Sequence, residues 1–424
     1  MKINFSEQIY NLAKKLWPIN RSITGDGVRE TLSIIQKEVP ELKIFEIPSG
    51  TKVFDWTIPK EWRVRDAYIV TPSGEKICQF KKNNLHLIGY SSPINLELSL
   101  SQLQDHLYSL PDQPSAIPYI TSYYEERWGF CITHEERKNL QEGDYKVSID
   151  SELFDGSLTY GEILIKGQSP KEIFISTYIC HPSMANDNLS SIAVQLNLIK
   201  YLKENYRNSF FSYRFVFLPE TIGSICYLSK KKDKLKKNMM LGFALSCLGD
   251  DHNYSLIKSR NDDSLSNYAI RSALIGKKNV SEYEFLERGS DERQYCYPGI
   301  DLPLSGFCRS KFHNFKEYHT DQDNLNYISE LGLKNSFEVF KSIIDALENR
   351  NFYPKNKFFC EPNLGKRGLM STIGKKFHEK NKSLKNFLAY SDGEKNLFEI
   401  SNIINLNLKD TLEISKILEK KGLI

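Results

Sequence analysis

The sequence is poor in cysteine and in long apolar runs, and each shortage excludes a class of protein. It has eight cysteines among 424 residues, and no two of them have Cys-x-x-Cys spacing. This scatter argues against a thiolate zinc site and a dense disulfide framework, and it favours a reducing, cytoplasmic location. No stretch approaches the ~20 apolar residues of a membrane span. The N-terminal residues lack a signal peptide's apolar run and have the pattern of an amphipathic helix.

A strong charge of either sign is also absent. The 57 basic and 53 acidic residues give a net charge of +4, which is too small to indicate a nucleic acid or an anionic membrane as partner. The sequence does have enough apolar material for a large core, with 40% hydrophobic and 12% aromatic residues. At about 100–200 residues per domain, a chain of this length should form more than one domain.

Changes in composition divide the chain into parts. Residues 1–41 and 115–350 alternate strand and helix patterns, which predicts an α/β fold: a three-layer domain with a mostly parallel, mixed sheet. Residues 42–114 consist of short apolar runs between turns rich in proline, serine and glycine. This pattern predicts an inserted β-rich domain.

The C-terminal region, residues 351–424, has helix–turn–helix spacing. Ser371–Ile373 is followed by predicted helices at Leu397–Ile404 and Leu408–Lys420, a pattern that resembles a winged helix. The second helix mixes acids with lysines and therefore lacks the basic surface of a DNA-reading helix. We expect a structural or subunit-contact module, which is compatible with a homo-oligomer.

The most informative segment is STYICHPSMANDNLSSIA, residues 176–193. The apolar run Ile173–Ile179 predicts a buried strand, with His181 at its end, Asp187 in the next loop and a helix thereafter. In open α/β sheets ligands bind beyond the carboxyl ends of the strands, and an imidazole with a carboxylate suits zinc. Each residue also has a local alternative, since His181 could be an ordinary hydrogen-bonded histidine and Asp187 a helix cap.

Two further segments place candidate ligands after predicted strands. Glu220 follows Arg214–Leu218 and could bind metal, act as a general base or complement a helix dipole. His319 follows the predicted strand within Ile300–Phe307, in the segment EYHTDQDN. A surface histidine at the start of a capped helix is its alternative.

Together these motifs resemble the di-zinc aminopeptidases of the M28 clan, which use a His, a bridging Asp followed by Asn, a Glu-Glu pair, a further acid and a late His. They are closer still to bacterial proteins of the DUF4910 and DUF2172 type, which carry an aminopeptidase-like domain, a small inserted domain and a C-terminal winged helix. The shared segments are CHPSMANDNLS (Cys180–Ser190), PETIGS (Pro219–Ser224), CLGDD (Cys247–Asp251), GSDERQYCYPG (Gly289–Gly299) and EYHTDQDNL (Glu317–Leu325).

The chain departs from the M28 pattern at the ligand positions. Ser183 stands where those enzymes have an acid that orients the metal-binding His, and Thr221 replaces the second Glu of the pair. Glu220 is then either the general base, which its spacing to Gly223 slightly favours, or a ligand. Ser246 and Cys247 occupy the place of the further acid, for which Asp250 or Asp251 could substitute.

The resemblance implies one or two Zn²⁺ ions as cofactor. The candidate ligands are His181, Asp187, His319, Glu220 and Asp251. Glu220 would take the proton of a metal-activated water. For substrate binding, Asp291 or Glu292 would hold an α-amine, Arg309 a carboxylate or phosphate, and Tyr318 would donate to the oxyanion. Alternatively, Arg309 pairs with Asp291 and the acids cap loops.

Three functions remain open from the sequence. The first is a zinc-dependent exopeptidase of aminopeptidase type, acting on a peptide or other small amide substrate. The second is an amidohydrolase or deacylase acting on an N-acyl or aminoacyl-modified sugar or metabolite in polysaccharide biosynthesis. The third is a degenerate peptidase that binds a ligand or partner without catalysis.

Overall fold

The computed structural model describes the backbone of residues 5–369 and 375–424. The strands in chain order are β1 (Lys43–Pro48), β2 (Lys52–Val53), β3 (Trp56–Thr57), β4 (Glu61–Val70), β5 (Lys76–Ile77), β6 (Ile94–Ser99), β7 (Leu107–Tyr108), β8 (Phe130–Cys131), β9 (Asp144–Phe154), β10 (Ser157–Ile165), β11 (Glu172–Tyr178), β12 (Ser212–Leu218), β13 (Met239–Leu245), β14 (Tyr254–Ile257), β15 (Val280–Tyr283) and β16 (Leu304–Cys308). The α-helices are α1 (Phe5–Leu16), α2 (Asp26–Glu38), α3 (Leu100–Leu103), α4 (His134–Lys138), α5 (Ser191–Asn205), α6 (Ile222–Asn238), α7 (Leu265–Leu274), α8 (Glu292–Tyr295), α9 (Glu330–Leu347), α10 (Lys375–Ala389), α11 (Leu397–Ile404) and α12 (Leu408–Lys420).

The main sheet has the strand order β1-β10-β12-β11-β13-β16-β14-β15. Its central strands β12, β11, β13 and β16 run parallel, whereas the pairs β1–β10, β10–β12 and β14–β16 are antiparallel. Strands β11, β12 and β16 are buried along their whole length, as parallel strands covered on both faces must be. The predicted α/β class with a mixed sheet is confirmed.

Successive side chains of β11 enter two different cores. Ile173 and Ile175 pack in the core that includes helices α1, α2, α5, α7 and α9, whereas Phe174 and Tyr178 pack in the core that includes α6, α8 and the small domain. The alternation follows from the two-residue period of a strand. Helices therefore cover both faces of the sheet, which gives the three layers.

The inserted domain is built on a second sheet with the order β5-β4-β9-β6. The predicted boundaries 42–114 need correction at both ends. Strand β1 pairs with β10 in the main sheet, and the chain returns to the small sheet for β9, which pairs with β4. The boundary predicted near residue 114 therefore falls too early, because strand pairing joins segments that are distant in sequence.

The C-terminal module consists of α10, α11 and α12, and the last two have the bounds predicted for them. The predicted segment Ser371–Ile373 lies outside the described residues. Side chains of this module belong to the same core as α1, α5 and α9, so the module packs on the main domain. Within the described part of the chain, no helix is long and apolar enough to cross a membrane.

Candidate metal centre

The candidate site lies beyond the carboxyl ends of the parallel strands. His181 and Glu220 follow β11 and β12, and His319 lies in the loop between β16 and α9. Asp187 lies in the irregular helical turn Ala185–Ser190 before α5, where its backbone dihedrals (φ −109°, ψ 79°) leave the helical region. Parallel strands end at one edge of the sheet, so residues that are distant in sequence meet there.

His181, Asp187 and His319 form one cluster. Asp187 Oδ1 lies 3.2 Å from His181 Nδ1, and Asp187 Oδ2 lies 3.2 Å from His319 Nε2. One donor atom from each of the three residues lies within 4.8 Å of the other two. Two imidazoles and one carboxylate are a common protein ligand set for zinc with one coordination position left open.

The donor atoms of this cluster are incompletely satisfied by the protein itself. Asp187 Oδ2 and His319 Nε2 are buried and have no hydrogen-bond partner. Burial raises the pKa of the Asp187 carboxyl, but His181 and His319 outweigh it and hold that pKa below its usual range. Burial opposes protonation of His181, yet Asp187 raises its pKa well above the usual value. Buried ligand atoms that make no hydrogen bond, one of them on an ionised carboxylate, fit a bound cation.

The surrounding structure orients Asp187 through residues that the sequence analysis did not single out. The Asp323 carboxylate is buried and accepts the backbone N–H groups of Asn186 at 2.6 Å and Asp187 at 2.9 Å. The Tyr178 hydroxyl donates to Asp187 Oδ1. Asp323 lies in the segment EYHTDQDN, so a second acid after the late His was the available signal.

Glu220 lies beside the cluster without joining it. Its Oε2 is 3.6 Å from His181 Nε2, and its Oε1 accepts a hydrogen bond from the Ser290 hydroxyl at 2.9 Å. The side chain is 22% exposed, whereas the Asp187 side chain is fully buried. Its backbone N–H donates to Cys180 Sγ at 3.3 Å. This position suits a base that exchanges a proton next to a metal.

Two of the predicted site residues point elsewhere. Asp251, predicted as a ligand, is exposed and accepts a hydrogen bond from Ser329, the residue that caps α9. Arg309, predicted to bind substrate, is buried, and its Nε donates to the carbonyl of Asn253 at 2.6 Å. Its guanidinium also lies 4.0 Å from the Tyr254 ring centroid. Both predictions are corrected, because the loops after β13 and β16 turn these side chains into structural contacts.

The other predicted substrate residues lie near Glu220 or His319. Asp291 and Glu292 are 2% and 1% exposed, which leaves neither free at a surface. Glu292 accepts the backbone N–H groups of Gly289 and Ser290. Tyr318 is half-buried, and its ring stacks on His319 at 3.9 Å between centroids. A contact between Tyr318 and substrate stays a prediction.

The residues that stand where the M28 pattern has ligands of a second metal ion make other contacts. The Thr221 hydroxyl accepts from Arg293, and Ser246 Oγ lies 3.0 Å from Cys308 Sγ. Asp250 accepts from Asn186, Ser310 and the backbone of His252. In the described residues, the three-residue cluster is the one group found with metal-ligand geometry. The donors present fit a single ion.

Comparison with known proteins places the chain in a family. Residues 10–350 match the family described as "Domain of unknown function (DUF4910)", and residues 351–424 match a winged helix-turn-helix family. The chain belongs to the DUF4910 family. Its resemblance to that family, stated above on motifs, is confirmed.

Relatives of this DUF4910 chain include a protein of Clostridium acetobutylicum with the description "Putative polysaccharide biosynthesis protein with aminopeptidase-like domain". It is 46% identical over 370 residues, which are 87% of this chain and 84% of the relative. A crystal structure of a "putative peptidase" from Clostridium acetobutylicum has a TM-score of 0.90 at 41% identity and covers 99% of this chain and 97% of its own.

More distant solved structures share the fold. A zinc aminopeptidase from Bacillus subtilis has a TM-score of 0.59 at 15% identity, covering 81% of this chain and 95% of its own. A peptidase M28 precursor from Shewanella amazonensis has a TM-score of 0.58 at 12% identity, covering 81% and 93%. The main domain therefore has an aminopeptidase-like fold.

Proposed function

We propose that this chain is a zinc-dependent hydrolase of peptide or amide bonds, of aminopeptidase type, with one Zn²⁺ held by His181, Asp187 and His319. The observation that carries the proposal is that Asp187 Oδ2 and His319 Nε2, which lie 3.2 Å apart, are buried and make no hydrogen bond, in a cluster flanked by Glu220. The aminopeptidase-like fold supports it, because the cluster lies at the edge of the sheet where α/β proteins bind ligands.

The chain's own residues have distinct parts in this proposal. A zinc ion at such ligands supplies a Lewis acid for the scissile carbonyl and acidifies water. Glu220 is the general base, because it is partly exposed beside His181 and the Ser290 hydroxyl fixes one of its oxygens. Asp323 and Tyr178 hold Asp187 in place through hydrogen bonds.

A second candidate is hydrolysis of an amide on an acylated or aminoacylated sugar. The observation that favours it is Thr221, which stands where a bimetallic aminopeptidase site has the second Glu of the pair and whose hydroxyl accepts from Arg293. The description of the Clostridium acetobutylicum relative as a polysaccharide biosynthesis protein points the same way.

Metal content tests the proposed ligand set. Elemental mass spectrometry should find about one zinc per chain in the wild type, since three protein ligands serve one ion. His181→Ala should lose the ion, whereas Glu220→Gln should keep it. Asp251→Asn serves as a matched acidic control and should also keep it. Two ions, both lost with Glu220→Gln, would instead make Glu220 a ligand of a bimetallic site.

Activity on amino-acid p-nitroanilides tests the reaction. Glu220→Gln should lower kcat by at least ~10²-fold while zinc remains bound, because general acid–base catalysis contributes 10²–10⁴-fold. A zinc-loaded wild type that leaves p-nitroanilides intact would favour the sugar amide candidate. A folded protein that retains no metal after reconstitution would favour the non-catalytic alternative.

A further inference from the structure

Glu220 lies on a strained turn between β12 and α6. The next residue, Thr221, has φ 62° and ψ −77°, a conformation that β-branched side chains rarely adopt. Such a residue costs energy unless the surrounding structure holds it in place. The direction of the Glu220 side chain therefore depends on whatever fixes this turn.

The turn is held by residues 290–293, which we call the positioning segment. Asp291 Oδ1 accepts the Thr221 backbone N–H at 2.8 Å and the Ser224 hydroxyl at 2.8 Å. Arg293 donates to the Thr221 hydroxyl. The Ser290 hydroxyl donates to Glu220 itself. All of these contacts therefore fall on residues 220–224, the turn that carries the proposed base.

The positioning segment is itself tightly fixed. The Glu292 carboxylate folds back to accept the backbone N–H groups of Gly289 and Ser290, at 2.8 Å and 3.1 Å. The residue before the segment is tightly packed as well, since a Cβ on Gly289 would lie 2.3 Å from the Phe312 ring. A segment with so little freedom can impose its geometry on the turn that it contacts.

Asp291 has no route to a substrate. It is 2% exposed, and its Oδ2 is buried without a hydrogen-bond partner. Burial and the nearby Glu220 raise the pKa of Asp291 to about 7. The expectation that this carboxyl binds a substrate amine therefore gives way to an indirect role through the turn.

We propose that Asp291 is a positioning residue, which aims the Glu220 carboxylate by fixing the backbone of Thr221 and the hydroxyl of Ser224. This inference rests on the proposed role of Glu220 as general base. It differs from metal binding and from substrate binding, because Asp291 contacts neither the cluster nor an open surface.

Kinetics of Asp291→Ala, Asp291→Asn and Glu220→Gln test the proposal. Asp291→Ala should lower kcat by about 10–10²-fold, with KM within about twofold and zinc content unchanged. Asp291→Asn keeps an oxygen acceptor for both donors and should recover most of kcat. In a Glu220→Gln background, Asp291→Ala should cause no further loss, because two residues acting through one group are not additive. An equal loss in that background, or a loss confined to KM, would overturn the proposal.

Backbone exchange separates this proposal from the proposed function. Hydrogen–deuterium exchange of a peptide covering residues 219–224 should quicken by about tenfold in Asp291→Ala and stay unchanged in the exposed control Asp251→Ala. Unchanged exchange in Asp291→Ala would overturn the positioning role even if no substrate is known. Faster exchange in a protein inactive on every amide offered would show that Asp291 fixes the turn and would reject the proposed hydrolase function. If Asp291→Ala does not fold, Asp291→Leu fills the same buried space without an acceptor for the Thr221 N–H and the Ser224 hydroxyl and should lower kcat by the same factor with KM unchanged. An unaltered kcat would overturn the proposal.

Discussion

Asp187 is fully buried, and one of its two carboxylate oxygens has no hydrogen-bond partner. The other oxygen receives the Tyr178 hydroxyl and faces His181. A buried, ionised oxygen is costly unless a positive charge approaches it, and His319 offers a nitrogen at 3.2 Å that is equally unpartnered. The two buried atoms without a hydrogen-bond partner, Asp187 Oδ2 and His319 Nε2, therefore indicate a cation site.

The orientation of Asp187 can be tested through Asp323. Asp323→Ala removes the acceptor of two backbone N–H groups, and we expect zinc affinity to fall about 10–100-fold, as for other residues that orient metal ligands. Competition with a chromogenic chelator measures the affinity. Asp251→Ala is the matched control, because this acid is exposed and bonds Ser329 outside the cluster. Equal affinity losses in the two variants would contradict the assignment.

Sequence patterns could place residues at strand ends but could not give the direction of each side chain. His181 and Glu220 follow apolar runs, and the structure brings both together with His319. Asp251 and Arg309 follow such runs too, yet their loops turn them into structural contacts. Loop paths depend on tertiary hydrogen bonds, which no local pattern encodes.

Among the elements, strand β12 depends on a buried ion network. Arg214 is 1% exposed and makes two hydrogen bonds to Glu172 of β11, at 2.6 Å and 2.9 Å, and an ion pair with Glu162 of β10 at 2.9 Å. Tyr227 of α6 donates to Glu162 as well. The network joins three adjacent strands of the main sheet below the edge that carries Glu220.

Loss of Arg214 should destabilise the main domain strongly. Arg214→Met leaves the buried carboxylates of Glu162 and Glu172 with only the more distant Lys231 and Lys234, at 3.7 Å and 4.0 Å. We expect a loss of about 3 kcal/mol of unfolding free energy, at the lower end of the range for a broken buried ion pair. Arg271→Met is the control, because Arg271 pairs with Glu282 at a partly exposed site where the expected loss is about 0–1 kcal/mol. Urea unfolding followed by circular dichroism measures both values. Similar losses in the two variants would refute the role given to burial.

Strands buried on both faces could be predicted from the sequence, whereas a half-buried strand could not be assigned to its sheet. The central strands overlap the predicted ones because continuous apolar runs indicate burial on both faces. Strand β9 lies within residues 115–350, which the sequence predicts as main domain, because an alternating pattern fits any half-buried strand. Only its pairing with β4 and β6 decides which sheet it joins, and pairing is not visible in a single segment.

On the scale of the whole molecule, one apolar core extends from the main domain into the C-terminal module. Phe352 and Phe398 belong to the same cluster of buried side chains as Phe337 of α9, and the two rings lie 5.3 Å apart. Asn402 of α11 donates to the backbone carbonyl of Tyr268 in α7 at 2.9 Å. A shared core makes the module a structural part of the fold, as its mixed surface charge also suggested.

A shared core predicts that the main domain and the module unfold together. Phe398→Ala should cost about 3–5 kcal/mol, because Phe398 is fully buried. In calorimetry the transition of the main domain should move to lower temperature with that of the module, since each loses the other's packing. Ile403→Ala in α11 should leave the transition nearly unchanged, because Ile403 is 45% exposed. If Phe398→Ala instead splits off a separate low-temperature transition while the main one stays in place, the module is an independent domain and the continuity of the core has no energetic consequence.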